Sequence, residues 1–174
     1  MKRKLIETYD VALLGKSIPV PYDLISVIKN VLLMPMLTTL KKSAQGLAHV
    51  QLDKQGWEDT NNYRAFALRR NNGTIKVFIN PVMKIDGENS TSYTHTESCL
   101  SLIKYRGGKP SGLQDYNILR YPTVRLWDDF NDEEVYHGIE AACIQHEMDH
   151  LNGILLHKNG LLLDDNGEVD KSNW

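Results

Sequence analysis

The sequence His-Glu-Met-Asp-His at residues 146–150 constrains the fold of this 174-residue chain more than any other feature. Positions i and i+4 share one face of an α-helix, so His146 and His150 can bind a single metal ion if the segment is helical. Glu147 lies about 100° around the helix from His146, where its carboxylate can reach a metal-bound water without binding the ion. Because two imidazoles leave a catalytic ion one protein ligand short, another residue of the chain has to supply the third ligand.

Two known patterns for the third ligand do not fit the downstream residues. A metzincin-type site needs a histidine six residues beyond His150, but Leu156 occupies that position and His157 is out of register by one residue. A thermolysin-like site needs a glutamate on another helix, whereas Glu168 follows an Asp-Asn-Gly sequence that predicts a turn. Neither residue suits the role.

The two cysteines are the remaining candidates for the third ligand. Cys143 lies three residues before His146 on the same predicted helix and would close only part of the coordination sphere, so we interpret it as a small residue that lines a pocket. Cys99 lies in a separate cluster, Glu-Ser-Cys-Leu-Ser at residues 97–101, and is the preferred ligand.

Composition argues against several classes of partner. The formal net charge is −2 and the pI is about 6.3, with dispersed basic residues, so no nucleic-acid partner is expected. The apolar stretch at residues 24–40 contains Lys29, Asn30 and Pro35 and is too short to span a membrane. Acidic residues interrupt the N-terminal segment, which disfavours a signal peptide, and two cysteines do not make a disulfide framework. We expect one cytoplasmic domain over residues 1–174.

Local patterns predict two main helices. Apolar residues recur at three- and four-residue steps over residues 24–41, which is typical of an amphipathic helix, and Pro35 is expected to kink or break it. Acidic residues at 132–134 favour the first turn of a second helix, which carries the metal motif and ends at an Asn-Gly sequence at residues 152–153. The inner face of this second helix is predicted to consist of Val135, Ile139, Ala142, Cys143, His146 and His150.

Several short segments favour β-structure. Residues 63–68 and 74–79 flank an Asn-Gly pair, which is a strong hairpin signal. A Gly- and Pro-rich loop is predicted at residues 106–112. Further β-prone segments lie at residues 92–96, 116–119 and 123–127. Short strands of this kind fit antiparallel pairing, so we predict an α+β fold with antiparallel sheets packed around a central metal-binding helix.

Three segments together resemble the peptide deformylase family. That family is known by motifs of the form Gly-x-Gly-x-Ala-Ala-x-Gln, Glu-Gly-Cys-Leu-Ser and Gln-His-Glu-x-Asp-His-Leu. Residues 145–151 match the third motif completely, whereas residues 97–101 and 44–51 match the second and first motifs with substitutions. The resemblance covers roughly residues 24–157.

The substitutions affect three motif positions. Ser98 replaces a glycine, which matters if the backbone there needs a positive φ. Ala44 and His49 replace a glycine and an alanine, and β-strand alternation predicts that the His49 imidazole points away from the site.

Bacterial members of the family often carry a long basic C-terminal helix associated with ribosome docking. This chain resembles the short form, which occurs in phage, so ribosome binding through such a helix is not expected.

The resemblance implies a division of roles among the motif residues. Cys99, His146 and His150 would hold one divalent ion, natively Fe(II), with Zn(II), Ni(II) or Co(II) as substitutes. The ion would lower the pKa of a bound water. Glu147 would take the proton of that water as general base and pass it to the departing amine as general acid.

The implied reaction is hydrolysis of the formyl group of N-formylmethionyl peptides from nascent proteins, with release of formate. The side-chain amide of Gln51 and the backbone N–H of Leu100 would donate to the oxyanion. Gly46 would leave room for an extended peptide to bind by strand addition, and Glu97 would bind and orient groups near the ion. An apolar pocket for the methionine side chain would be formed by Ile139, Ala142 and Cys143.

Two other functions stay open at this point. A small metallopeptidase with the same helix motif would cleave unformylated peptides and would not need Cys99. A degenerate, non-catalytic metal-binding module would need neither Glu147 nor Gln51. The three hypotheses therefore differ in the product released and in the side chains required.

Overall fold

Three antiparallel sheets and two long helices are found in the computed structural model, which describes residues 15–38, 45–54, 58–87, 91–106 and 109–170. The helices are α1 (Ile25–Thr38), α2 (Gly138–Leu151) and the short α3 (Leu156–Asn159). The strands are β1 (Gly46–Ala48), β2 (Ala65–Arg69), β3 (Ile75–Ile79), β4 (Val82–Ile85), β5 (Tyr93–Arg106), β6 (Lys109–Arg120), β7 (Thr123–Trp127), β8 (Glu134–His137) and β9 (Leu161–Leu162). The strand orders are β1-β2-β3, β4-β7-β8 and β5-β6-β9, which confirms the predicted α+β class with antiparallel sheets.

The first sheet lies between the two long helices. Side chains of β2 alternate in direction, so Ala65 and Ala67 pack with α1 while Phe66 and Leu68 pack with α2. All four are fully buried. Burial of a side chain the size of Phe66 stabilises the fold by about 1.5–3 kcal/mol relative to exposure. The second helix is thereby fixed against the sheet whose edge strand, β1, lies beside the metal motif.

The second helix begins later than its acidic residues predict. Residues 134–137 form β8, which pairs with β7 from Thr123 to Leu126, and α2 starts at Gly138 with a positive φ of 56°. Val135 is therefore a strand residue with 38% of its surface exposed and does not belong to the inner face of the helix. Its β-branched side chain and the aromatic neighbour Tyr136 favour strand pairing over an isolated helical turn.

Two other predicted boundaries differ from the structure. The first helix continues through Pro35 to Thr38, so proline does not end it; the predicted residues 39–41 lie outside the described part of the chain. Residues 109–112 of the predicted loop belong to β6, which pairs with β5 down to Arg106. The hairpin around Asn72-Gly73 is confirmed, because β2 and β3 pair over five residues and Gly73 has a φ of 84°.

No helix in the described parts of the chain combines the length and apolar character needed to cross a bilayer.

Candidate metal and active site

The three predicted ligands lie together in the structure. Cys99 comes from β5, and His146 and His150 come from consecutive turns of α2. Their ligand atoms all lie within 4.8 Å of one another, and the Cys99 Sγ and His150 Nε2 atoms are 3.3 Å apart. Cys99 and His150 are almost fully buried, and His146 is partly exposed toward the adjoining cavity.

A bulge in β5 brings Cys99 out of the regular ladder. Ser98 pairs with Asp115 and Ile103 pairs with Leu113, so four residues of β5 oppose a single residue of β6. Ser98 itself has no left-handed backbone, since Asn80 is the one non-glycine residue with positive φ in the described chain. The loss of glycine at this motif position therefore causes no backbone strain.

The donor set fits a divalent transition metal. Two ligands of one tetrahedral ion, with metal–sulfur and metal–nitrogen bonds near 2.3 and 2.1 Å, lie about 3.5 Å apart, close to the separation of Cys99 and His150. Burial alone would raise the pKa of the Cys99 thiol, but the His150 and His146 imidazoles hold it well below its ordinary value. A thiolate and two imidazoles are suitable ligands for zinc or iron.

The rival ligands lie elsewhere. Cys143 lines the cavity, and burial together with the nearby Glu147 carboxylate raises the pKa of its thiol well above the usual range. His157 is exposed in the short helix α3, and Glu168 lies in an exposed turn where its backbone N–H donates to Asp164. In the described residues, Cys99 is thus the cysteine that joins the two histidines.

Glu147 has the surroundings of a proton-transfer group. Only 3% of its surface is exposed, and its Oε2 atom has no hydrogen-bond partner among the described residues. Burial raises the pKa of its carboxyl group from 4.5 to about 7, because the charged form loses its water. A carboxyl group with a pKa near neutrality can both accept and release a proton at that pH.

The absence of a side chain at Gly46 makes room for this carboxylate. A Cβ atom built on Gly46 would lie 2.1 Å from Glu147 Oε1 and 2.8 Å from Cys143 Sγ. The glycine is therefore required by the contact between β1 and α2, a reason that differs from the predicted one of room for a peptide. Its backbone nevertheless lines the cavity, as strand addition would need.

Gln51 is oriented toward the ligand cluster. It ends a short 3-10 turn (His49–Gln51) after β1, and its Oε1 accepts the backbone N–H of Ala48 at 2.8 Å. Its Nε2 consequently points at Cys99 Sγ, 3.6 Å away, and Ser101 Oγ, 3.4 Å away. Leu100, the residue after the thiol, lies on the cavity wall.

A buried ion-pair network behind the site was not predicted. The Glu97 carboxylate accepts hydrogen bonds from Arg120 at 2.7 and 2.9 Å and lies 2.9 Å from His146 Nδ1, so it fixes the imidazole orientation. Burial alone would raise the pKa of Glu97, but the bonds from Arg120 and His146 lower it to about 2. A second Arg120 contact, 2.6 Å from Asp149, ties β6 to α2. The one sign of this network in the sequence is Asp149, a second carboxylate inside the helix motif besides Glu147.

A cavity of about 690 Å³ opens beside the cluster. Of the predicted substrate-binding residues, Gly46, Glu97, Ile139 and Cys143 line it, whereas Ala142 is buried in the core and does not. Its wall also includes residues that the sequence analysis did not single out: His95, Ile103, Pro110 and Leu113.

His49 faces a different part of the molecule. Its ring packs edge-on against Tyr63 with centroids 5.6 Å apart, and its Nδ1 accepts the Tyr63 backbone N–H at 3.3 Å. It lines a smaller cavity next to α1, away from the ligand cluster, and lies in a 3-10 turn where a strand was expected. Ala44, the other substitution in the first motif, lies outside the described residues.

Comparison with known proteins points to one family. The family model of polypeptide deformylase matches residues 3–160. The peptide deformylase of Zymomonas mobilis is 39% identical over 85 residues, which is 45% of this chain and 41% of the relative. That of Clostridium beijerinckii is 39% identical over 86 residues, 47% of this chain and 54% of the relative. The matched segments thus span about half or less of these curated relatives.

Solved structures share the fold across most of the chain. The peptide deformylase of Thermotoga maritima has a TM-score of 0.70 at 23% identity and covers 91% of this chain and 97% of its own. That of Thermus thermophilus has a TM-score of 0.63 at 26% identity, covering 88% and 83%. The Synechococcus elongatus enzyme, solved in complex with actinonin, has a TM-score of 0.65 at 23% identity, covering 98% and 82%.

Proposed function

The chain belongs to the polypeptide deformylase family, and from that premise we propose that it hydrolyses the formyl group of N-formylmethionyl peptides and releases formate. The observation that carries the proposal is the buried Glu147 carboxylate, whose Oε2 has no partner among the described residues, beside a three-ligand cluster and a cavity of about 690 Å³. Neither a degenerate module nor a structural metal site needs such a carboxylate.

We propose that Cys99, His146 and His150 hold one divalent ion, which supplies Lewis acidity and makes water more acidic when bound. The donor set alone does not distinguish iron from zinc. The resemblance to deformylases favours Fe(II) as the native ion. Purification without oxygen followed by metal analysis would test this choice, because an Fe(II) form should lose activity in air while a Ni(II) form keeps it.

The protein residues would divide the proton transfers and the charge stabilisation. Glu147 takes a proton from the attacking water while the water oxygen bonds to the formyl carbon. Gln51 Nε2 and the Leu100 backbone N–H donate hydrogen bonds to the oxyanion that develops on the formyl oxygen. When the carbon–nitrogen bond breaks, Glu147 returns a proton to the amine nitrogen, so the products are formate and a peptide with a free amino group.

Binding of the substrate as an added strand is supported by the free edges of two sheets. β1 pairs only with β2, and β5 pairs only with β6 among the described strands, and residues of both strands line the cavity. An extended peptide could use the exposed backbone groups near Gly46. Its first side chain would then reach the wall formed by Ile139 and Cys143.

The test compares formyl-Met-Ala-Ser with Met-Ala-Ser, using protein loaded anaerobically with Fe(II) or with Ni(II). We expect formate from the formylated peptide, no cleavage of the unformylated one, and a loss of about 10²- to 10⁴-fold in kcat for Glu147→Gln. Metal content should be unchanged in that variant, since Glu147 is not a ligand. Absence of formate with both metals would refute the proposed function, and peptide-bond cleavage would favour a metallopeptidase.

A further inference from the structure

The cavity wall carries a histidine for which the proposed reaction has no use. His95 lies on β5, is half-buried and lines the cavity. No hydrogen bond joins its ring to another side chain or backbone group in the described structure; its ring contact is with Tyr93, edge-on with centroids 5.7 Å apart. The imidazole nitrogens are therefore available to a ligand in the cavity.

The position of His95 follows from two contacts between β5 and α2. Cys99 meets His150, and two residues earlier Glu97 meets His146. Two residues of strand advance about 6.6 Å, and four residues of helix advance about 6 Å. The two contacts therefore follow each other in the same order along β5 and along α2, at comparable spacings.

One further step of this kind directs His95 toward the turn of α2 that contains Cys143, which lines the same cavity. His95 and Glu97 both belong to the regular part of the β5–β6 pairing, so they share a face of the strand, and Cys99 follows at the bulge. On the helix side, Cys143 and Ile139 line the cavity. The cavity thus has an imidazole on the β5 side and a thiol and an aliphatic group on the α2 side, and we call the space between them the slot.

We propose that His95 determines specificity for the first side chain of the substrate. This inference rests on the proposed function, because a formyl carbon at the ligand cluster would direct the adjacent side chain into the slot. An imidazole N–H can donate a hydrogen bond to the oxygen of methionine sulfoxide, and the imidazole ring can contact the thioether sulfur of methionine. The hydrocarbon side chain of norleucine can form neither contact. The slot is thus suited to methionine and to methionine sulfoxide over norleucine.

The experiment measures kcat/KM for formyl-X-Ala-Ser, where X is methionine, methionine sulfoxide or norleucine. Wild-type protein should prefer methionine to norleucine by about two- to tenfold. In His95→Leu this preference should fall to about one, and the sulfoxide should lose at least about tenfold relative to methionine. His95→Gln retains a donor and should restore turnover of the sulfoxide. Thr94→Val, on the exposed opposite face of β5, is the matched control and should change none of these ratios.

Binding provides a readout that does not depend on turnover. Titration of Met-Ala-Ser and norleucyl-Ala-Ser into the wild-type and His95→Leu proteins by calorimetry should show the same change of preference. If formate is released but His95→Leu leaves all ratios unchanged, the role of His95 is refuted and the proposed function stands. If no formate is released, the proposed function fails, and equal affinities of the two proteins for both peptides would refute the slot as well.

Discussion

The two cysteine side chains lie in opposite chemical surroundings. The Cys99 thiol has two imidazoles beside it that lower its pKa, and these are the groups that would share its ion. Burial and the nearby Glu147 carboxylate raise the pKa of the Cys143 thiol. The thiolate is the form of cysteine that binds metals, so the difference in pKa favours Cys99 over Cys143 as the metal ligand.

We predict that Cys99→Ala loses the metal ion and that Cys143→Ala retains it. Loss of a ligand should weaken affinity by more than the roughly 10- to 100-fold cost of losing an outer partner. Metal content after dialysis against a weak chelator tests the assignment. Circular dichroism of both variants shows whether they are folded. A Cys99→Ala protein with full metal content would show that another group completes the site.

The contact of Gly46 with Glu147 predicts a selective effect on catalysis. In Gly46→Ala the new methyl group occupies the position of the Glu147 carboxylate oxygen, which has to move by an ångström or more. Displacement of a catalytic group by about 1 Å costs on the order of 10²-fold in rate. We expect kcat for deformylation to fall by about that factor while metal content stays the same. If kcat is unaffected, the carboxylate does not need its observed position.

At the scale of elements, Arg120 joins the end of β6 to both halves of the site. Its guanidinium group binds Glu97, which orients His146, and also Asp149 one turn along α2. Its side chain is 6% exposed, so replacement by a short apolar residue leaves a buried carboxylate without its counter-charge. The same contact therefore supports both stability and ligand orientation.

We predict that Arg120→Ala lowers the free energy of unfolding by about 3–5 kcal/mol. Arg125→Ala is the matched control, because Arg125 also pairs with two carboxylates, Asp86 and Glu133, but its side chain is 45% exposed and its pairs are solvated. Urea unfolding of both metal-free variants gives the comparison. Equal effects of the two substitutions would contradict the role assigned to the buried network.

Local elements of the fold were predictable because their signals are local. The Asn-Gly hairpin and the end of α2 at Leu151, just before Gly153 with its φ of 73°, depend on neighbouring residues alone. The predicted start of α2 was wrong, because residues 134–137 gain more from pairing with β7 than from extending a helix. The β5 bulge depends likewise on a partner strand that no local pattern reveals.

For the molecule as a whole, the ligand cluster was easier to predict than its surroundings. The motif spacing selected His146, His150 and Glu147, and the second motif selected Cys99 before the structure joined them. The pairing of Glu97 with Arg120 and the face shared by His95 depend on strand register and on helix placement. Such contacts between distant segments leave no periodic trace in a single sequence.

The clearest link between two sheets is the charged cluster around Glu134. This β8 carboxylate binds Arg70 at 2.6 Å, Lys76 at 2.9 Å and the Tyr136 hydroxyl at 2.8 Å, which connects the sheet β4-β7-β8 to the β2–β3 hairpin. Burial alone would raise the pKa of Glu134, but the bonds from Lys76, Tyr136 and Arg70 lower it to about 2. A carboxyl group with a lowered pKa in the folded state stabilises the fold above its unfolded pKa, and the effect disappears as the pH falls through the folded pKa.

We therefore predict that Glu134→Gln lowers the melting temperature at pH 7 and that the difference from wild type shrinks on acidification. With a pKa near 4.5 unfolded and about 2 folded, roughly two fifths of the electrostatic contribution remains at pH 3. Thermal unfolding of metal-free protein at pH 7, 5 and 3 measures the trend. Glu133→Gln is the matched control. The Glu133 carboxylate pairs with Arg125 of β7, which belongs to the same sheet as β8, so its substitution leaves the connection between sheets intact. A difference between Glu134→Gln and wild type that stays constant with pH would mean that the Glu134 side chain acts through packing, with its charge contributing little.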